Sequence, residues 1–419
     1  MPLATLIHRA SLPGPQVSEA QALQWLAEHY GLSGTLQALG SQQDLNYRVD
    51  SANGRFVLKV CRGDYALVEL QAQHAGLNYL AEHSAIKVPR VIAANNGADL
   101  LSLQANGETV HVRLLEYIDG QPLTDFDHLG QDVVAGFGRL CGEMDLALAG
   151  FDHPGLERTL QWDARHANAL ISHLLPVISD VQQRAVISAA AEQAERRLQP
   201  LLDKLPVQAI HMDITDDNVV WARDAQRHWQ LQGVIDFGDL VRTWRITDLS
   251  VTCAALLHHA DGDPFVILPA VKAYHAVNPL QYAELQALWP LIVARAAVLV
   301  LSGEQQVSID PGNTYSRDNL SHEWEIFRVA TSVPQALMEA AILTAVGQTV
   351  PEAENTEFAP LLPGLVGREF ALIDLGVLSP HFEAGNWEQP GIDQRLLTEA
   401  AAVHGLAATR YGQYRLSRT

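Results

Sequence analysis

The chain has 419 residues, 48% of them hydrophobic, enough for two or three domains with substantial cores. Its formal net charge of −20 argues against nucleic acid or an anionic membrane surface as a partner, because both would be repelled. Cys61, Cys141 and Cys253 are few, odd in number and scattered, the pattern of a reducing, cytoplasmic compartment without a C-x-x-C pair for zinc or redox chemistry. Met1 to Pro15 lacks the apolar core of a secretory signal. The longest apolar run, Leu291 to Leu301, contains Arg295 and is expected to be too short to span a bilayer.

In chain order, Ser18 reads as the N-cap of an amphipathic helix carrying Leu23, Leu26, Ala27 and Tyr30 and ended by Gly31. The runs Leu45–Val49 and Phe56–Val60 flank Asn53-Gly54, a strong hairpin signal. Lys59 sits inside the second run, where an unpaired ammonium would be costly to bury. Leu67, Leu70, Leu77 and Leu80 then recur at roughly helical spacing, with Glu69 among them. Runs at 88–92, 100–103 and 110–115 complete an expected five-stranded antiparallel lobe, which stops at Glu116-Tyr117-Ile118-Asp119-Gly120. From Phe126 the periodicity turns helical over 127–148, 162–175 and 181–204, and Val207 to Ile210 reads as a strand delivering His211. Packed helices are expected over Arg245 to His259 and Leu280 to Ser302, and another opens at Pro311–Asn319 and holds Glu323, Trp324 and Glu325. His258, His259, Asp261 and Asp263 follow an apolar helix into an Asp-Gly turn and read as a surface loop rather than a metal cluster. From 349 onward, prolines and acids replace long periodic segments, which suggests a boundary near 350.

The most informative stretch runs from His211 to Asp239. It opens His211-Met212-Asp213-Ile214-Thr215-Asp216-Asp217-Asn218 and, after two short strands, closes Ile235-Asp236-Phe237-Gly238-Asp239. Asp213 is placed to accept a proton from an attacking hydroxyl, while Asn218 and Asp236 offer oxygen ligands to Mg²⁺, as phosphoryl transfer from a metal-bound nucleotide demands. Each half is weak alone; the order and spacing together make a strong signal.

These residues resemble the kinase superfamily, and more closely its aminoglycoside-phosphotransferase and choline-kinase branch. The stretch Asp239-Leu240-Val241-Arg242-Thr243-Trp244-Arg245-Ile246-Thr247-Asp248-Leu249 looks like the hydroxylysine-kinase subgroup, and the resemblance covers roughly residues 17 to 345. The sequence departs from the branch's usual H-G-D-x-x-P-x-N by Met212 where glycine is common and by Asp216-Asp217 before the asparagine. The resemblance implies an α+β, bilobal protein-kinase-like fold: a small antiparallel-sheet lobe over 1–117, a larger helical lobe over 118–348, and a linker or the start of a further domain over 349–419. It implies ATP or GTP with Mg²⁺ as phosphate donor. Ser41 to Asn46 would cover the nucleotide phosphates, Lys59 would hold them with Glu69 as its partner, and the backbone from Glu116 to Ile118 would meet the purine. His211 and Asp248 would brace the catalytic loop, with Asp239 adding an outer contact to the metal site. Asp216 or Glu323 would meet a substrate amine and Arg295 a substrate carboxylate.

The expected activity is phosphorylation of a hydroxyl on a small amino alcohol or hydroxy amino acid. Aminoglycoside phosphorylation and a catalytically silent nucleotide-binding scaffold are the alternatives. Ile373–Ser379 and Tyr411–Leu416 look similar to the stretch that, in long fusion proteins, precedes metallopeptidase-like and class III aminotransferase-like domains. Such domains are therefore candidate covalent partners in a longer protein.

Overall fold

A computed structural model describes residues 14–41, 44–309 and 314–349. The segment 350–419, with its fusion-like stretches, lies outside the described residues, as do residues 1–13, Gln42, Gln43 and 310–313. Helix α1 (Glu19–Tyr30) begins at Ser18, whose Oγ accepts a hydrogen bond from the Gln21 amide, and ends at Gly31 with φ 64°. Both caps follow from local chemistry: a hydroxyl takes an otherwise orphaned N–H, and glycine takes the left-handed conformation without a Cβ clash.

The sheet has six strands rather than the expected five: β1 (Gly34–Leu39), β2 (Leu45–Ser51), β3 (Gly54–Arg62), β4 (Val91–Ile92), β5 (Leu101–Ala105) and β6 (Glu108–Glu116). They order as β1-β2-β3-β6, antiparallel throughout, with β4 and β5 both on the far side of β6. The extra strand, β1, is a largely exposed edge with no buried residue, so its sequence carries no inside–outside alternation. The first hairpin turns on Ala52 and Asn53, one residue earlier than expected, because Gly54 takes φ 129° as the first residue of β3. Trp25, Leu26, Tyr47, Val49, Leu58, Val112 and Leu114 form the core between α1 and the sheet.

Helix α2 (Leu67–His83) lies under the sheet but packs with the second lobe: Leu77 and Leu80 belong to the large core of the helical half. That half contains α3 (Gln131–Leu148), α4 (Ala167–Leu174), α5 (Val181–Leu198), strands β7 (Val207–Ile210), β8 (Val219–Arg223), β9 (Trp229–Val234) and β10 (Val241–Trp244), then α6 (Ile246–Leu256), α7 (Leu268–Val277), α8 (Tyr282–Ile309), α9 (Thr314–Ala330) and α10 (Gln335–Ala345). Strands β7 and β10 pair antiparallel, as do β8 and β9. Gly138 lets α3 and α7 touch: a Cβ there would stand 1.9 Å from the Ala270 carbonyl oxygen.

Helix α8 is the axis of this lobe and touches α4, α5, α6, α9 and α10. It runs well beyond the apolar stretch read from the sequence. By length and composition its 28 residues could cross a membrane, yet 83% of its most apolar window is buried inside the protein.

Candidate active site

The catalytic loop starts from β7, and its backbone is held from below. Asp248, on α6, accepts from the His211 amide (3.1 Å) and the Met212 amide (2.8 Å). His211 donates from Nε2 to the Ile235 carbonyl (3.1 Å) and accepts the Asp213 amide at Nδ1 (3.2 Å). Its ring packs edge-on against Phe237, and burial lowers its pKa to about 4, so the imidazole is neutral. These contacts support the bracing roles expected of His211 and Asp248.

Met212, where the resembling families have glycine, has φ 74° and is fully buried against Ile210, Val241 and Trp162. The backbone retains the left-handed conformation that favours glycine, while the side chain fills a core.

Asp213 faces the cleft with 30% of its side chain open. Asn218 Nδ2 donates to its Oδ2 (2.6 Å) and to its carbonyl (3.0 Å), which leaves Asn218 Oδ1 without a hydrogen bond among the described residues. Burial and the carboxylates of Asp239, Asp236 and Asp217 push Asp213 above the usual carboxylate range, against the nearby Arg295 guanidinium at 3.9 Å.

Asp236, like Met212, is held left-handed, at φ 57°. Its Oδ1 accepts from Lys59 Nζ (3.0 Å) and from the Gly238 amide (3.1 Å). Although burial acts to raise its pKa, the Lys59 ammonium and these hydrogen bonds hold it down to about 2.

The partner expected for Lys59 requires correction. Its ammonium pairs with Asp236, not with Glu69. Glu69 instead lies 3.8 Å from Arg158, whose Nη2 donates to the Gly238 carbonyl (2.6 Å) and lies 3.6 Å from Asp239. Arg158 is a site residue that the sequence did not reveal, because it sits in an irregular stretch without motif or periodicity. Arg113 was missed for a different reason: it opposes Lys59 across β3 and β6, buried, and cross-strand register cannot be read from one strand.

Around the expected nucleotide pocket, Ser41 Oγ accepts from the Asp44 amide (3.1 Å) and closes the loop before β2. Asn46 is buried opposite Lys59, and its Oδ1 has no hydrogen-bond partner among the described residues. Between the lobes, the Glu116 amide is already committed to the Arg90 carbonyl (2.8 Å). The Ile118 backbone enters no backbone hydrogen bond among the described residues, and its side chain packs where Gly233 has none.

Of the three expected substrate contacts, Asp216 faces away from the cleft. It is buried and accepts at Oδ2 from Thr124 Oγ1 (2.8 Å), with His258 Nε2 at 2.9 Å and His259 Nε2 at 3.2 Å, so it is not available to a substrate amine. His258 and His259 are accordingly interior residues, not a surface loop. Asp261 and Asp263 are not part of this group; Asp263 caps the following turn. Arg295 stacks over Trp162 at 4.8 Å with its Nε and Nη1 buried and without hydrogen bonds. Glu323 Oε2 is likewise buried and unpartnered, and burial pushes this carboxyl up to about 8 against Arg295.

The oxygens that remain open among the described residues, Asn218 Oδ1 and Asp236 Oδ2, are hard donors on adjoining elements, a set that suits Mg²⁺. The arrangement brings together a carboxylate for a hydroxyl, oxygens for a divalent ion and a buried ammonium for phosphate.

The family model for the phosphotransferase enzyme family matches residues 35–288. Hydroxylysine kinase of Danio rerio is 25% identical over 336 residues, 74% of this chain and 93% of that protein. Homoserine kinase of Pseudomonas aeruginosa (strain UCBPP-PA14) is 27% identical over 270 residues, 62% of this chain and 77% of that protein. The solved structure of a microcompartment-associated aminopropanol kinase superposes with a TM-score of 0.58 at 19% identity, covering 78% of this chain and 99% of that one, so the bilobal fold is shared. With more than half of its length matched to the family, the chain belongs to the phosphotransferase enzyme family and is a small-molecule kinase acting on an alcohol group.

Proposed function

We propose that the protein transfers the γ-phosphate of ATP or GTP to the hydroxyl of an amine-bearing small molecule, a hydroxy amino acid or amino alcohol of the hydroxylysine kind. The observation that carries this reading is the junction of Asp213, Asn218, Asp236 and Lys59. One amide holds the Asp213 carboxylate in place, its own oxygen stays open among the described residues, and the Asp236 carboxylate pairs with Lys59.

Asp213 orients the substrate hydroxyl and takes its proton as the bond to phosphorus forms; Arg295 favours its ionised state. Asn218 Oδ1 and Asp236 would hold Mg²⁺, which when bound neutralises phosphate charge. Lys59 would exchange part of its contact with Asp236 for the nucleotide phosphates. Asn46 and the Ser41 loop would cover those phosphates, and the Ile118 backbone would meet the base. The Glu116 amide is already bonded, so only its carbonyl end serves that role. Glu69 acts at one remove, fixing Arg158 and through it Asp239 and Gly238.

An amine-bearing substrate follows from the surplus of carboxylates. Burial raises the pKa values of Asp213, Asp239 and Glu323, and neighbouring carboxylates add to it, against the guanidinium groups of Arg295 and Arg158. Glu323 is the candidate for the ammonium and Arg295 for a substrate carboxylate. Among the relatives, the names hydroxylysine kinase and homoserine kinase support a hydroxy amino acid.

The test is phosphate transfer from ATP and from GTP with Mg²⁺ to 5-hydroxylysine, homoserine, threonine, ethanolamine, choline and kanamycin, with Asp213→Ala as control. Turnover on a hydroxy amino acid or amino alcohol is expected to fall about 10²–10⁴-fold in the variant. Absence of nucleotide binding would overturn the proposal, and turnover on kanamycin alone would replace it with aminoglycoside phosphorylation.

A further inference from the structure

Behind the catalytic loop lies a group of ligating side chains that phosphoryl transfer does not use. One oxygen of Asp216 and one nitrogen each of His258 and His259 all lie within 4.8 Å of one another. Asp216 comes from the catalytic loop and the two histidines from the turn that ends α6. Their side chains are 5%, 7% and 1% exposed.

The hydrogen bonds around this group fix the tautomer of one ring. His259 Nδ1 is bonded to the Phe126 carbonyl, which can only accept, so Nδ1 carries the hydrogen. In the neutral imidazole, Nε2 then presents a lone pair to Asp216 Oδ2 at 3.2 Å. Two buried acceptors facing each other at that distance repel unless a cation lies between them. A ring held through Nδ1–H on a backbone carbonyl, with Nε2 left to ligate, is also how proteins commonly orient histidines toward a metal.

Two further contacts complete the surroundings. Thr124 Oγ1 lies 2.8 Å from Asp216 Oδ2 and 2.7 Å from Asp217 Oδ1, and its single hydrogen can serve only one of them. His322 stacks on His258 with ring centroids 4.7 Å apart and the planes 18° from parallel. The carboxylates of Asp216 and Asp217 thus meet on one hydroxyl beside the two imidazoles.

We infer that Asp216, His258 and His259 form a binding site for a divalent transition-metal ion, zinc being the ion best matched to two imidazoles and one carboxylate. Imidazole ligands disfavour Mg²⁺ and Ca²⁺, which take oxygen, and suit zinc. An ion here ties the loop that carries Asp213 to the end of α6. Its role is to position that loop, and it takes no part in phosphoryl transfer. The inference stands apart from the proposed reaction, because binding is measured without nucleotide or substrate.

The competing occupant of the same gap is a proton, which would make His259 an imidazolium. The experiment uses the full chain, stripped with EDTA and titrated with zinc chloride against a chromophoric zinc indicator. Metal content after dialysis is read by mass spectrometry, and the d–d bands of the Co²⁺-substituted protein report ligand geometry. One equivalent of zinc is expected. His258→Gln and His259→Gln should each weaken binding about 100-fold or more and remove the tetrahedral cobalt bands, and Thr124→Val should weaken it about 10-fold through Asp216. Melting curves of the metal-free variants check folding. Failure of the wild type to retain zinc, or equal affinity in a His258→Gln/His259→Gln double variant that still melts cooperatively, would overturn the site and leave a protonated histidine–aspartate cluster.

Discussion

The Lys59 ammonium lies 3.0 Å from Asp236 Oδ1 and joins the middle of β3 to the residue that enters the 237–239 turn, so this ion pair ties the sheet of the small lobe to the helical lobe. The partners are unequally buried: the lysine side chain is 7% exposed, the aspartate 42%. Asp236→Asn strands a buried charge, while Lys59→Met leaves an aspartate that water can reach. Both variants are expected to lose transfer. Asp236→Asn should also lose on the order of 1–3 kcal/mol more stability than Lys59→Met. Urea unfolding of the two, alongside steady-state rates, checks the order.

Met212 sets backbone strain against packing. A left-handed non-glycine residue costs about 1–2 kcal/mol, whereas truncating a buried methionine costs about 2–5 kcal/mol. Met212→Gly relieves the first term and suffers the second; Met212→Ala suffers the second and keeps the first. Both should be less stable than the wild type, with glycine above alanine by about 1 kcal/mol, the reverse of their usual order. Equal midpoints in denaturant would show that φ 74° carries no strain.

Gly303 makes room for Glu323. A Cβ at 303 would lie 1.7 Å from Glu323 Oε2, the movable end of a side chain, so Gly303→Ala should displace that carboxylate without unfolding α8. On the proposed role of Glu323, KM for the amine-bearing substrate rises about tenfold, equivalent to about 1.4 kcal/mol, while KM for nucleotide is unchanged. Unchanged KM for both substrates would remove Glu323 from the site.

Asp145 and Asp248 form a buried carboxyl pair beneath the catalytic loop, with Tyr274 donating to Asp145 Oδ2 at 2.5 Å. Burial raises both pKa values above the ordinary range, and for Asp145 the neighbouring Asp248 adds to it. Their contribution to stability is therefore complete below about pH 4 and declines as pH rises through the folded-state values, by at most about 1.4 kcal/mol per pH unit for each proton. Asp145→Asn imitates the protonated acid and still accepts from Tyr274, so it should flatten this decline. Thermal midpoints of wild type and variant between pH 5 and 9 decide it.

Much of the site was legible because its chemistry is local. The distance from Asp213 to Asn218 spans one loop, and both reach the same place because the loop closes on itself; Asp236 follows after a single hairpin. The cap at Ser18 and the stop at Gly31 likewise depend on neighbours a few residues away. Pairings over long separations were not legible. Glu69 was assigned to Lys59 because both suited the role, but Arg158 stands beside Glu69 in space from 89 residues further along the chain.

The sequence by itself determined the phosphotransferase family and the spacing of the residues placed for transfer and metal binding, because short-range covalent geometry carries them. Only the tertiary structure decided that Lys59 pairs with Asp236, that Met212 keeps a glycine conformation, and that Asp216 turns inward onto His258 and His259. Those outcomes depend on which side chains packing brings within about 3–4 Å, where hydrogen bonds and close ion pairs act, and one strand or loop does not encode its distant neighbour.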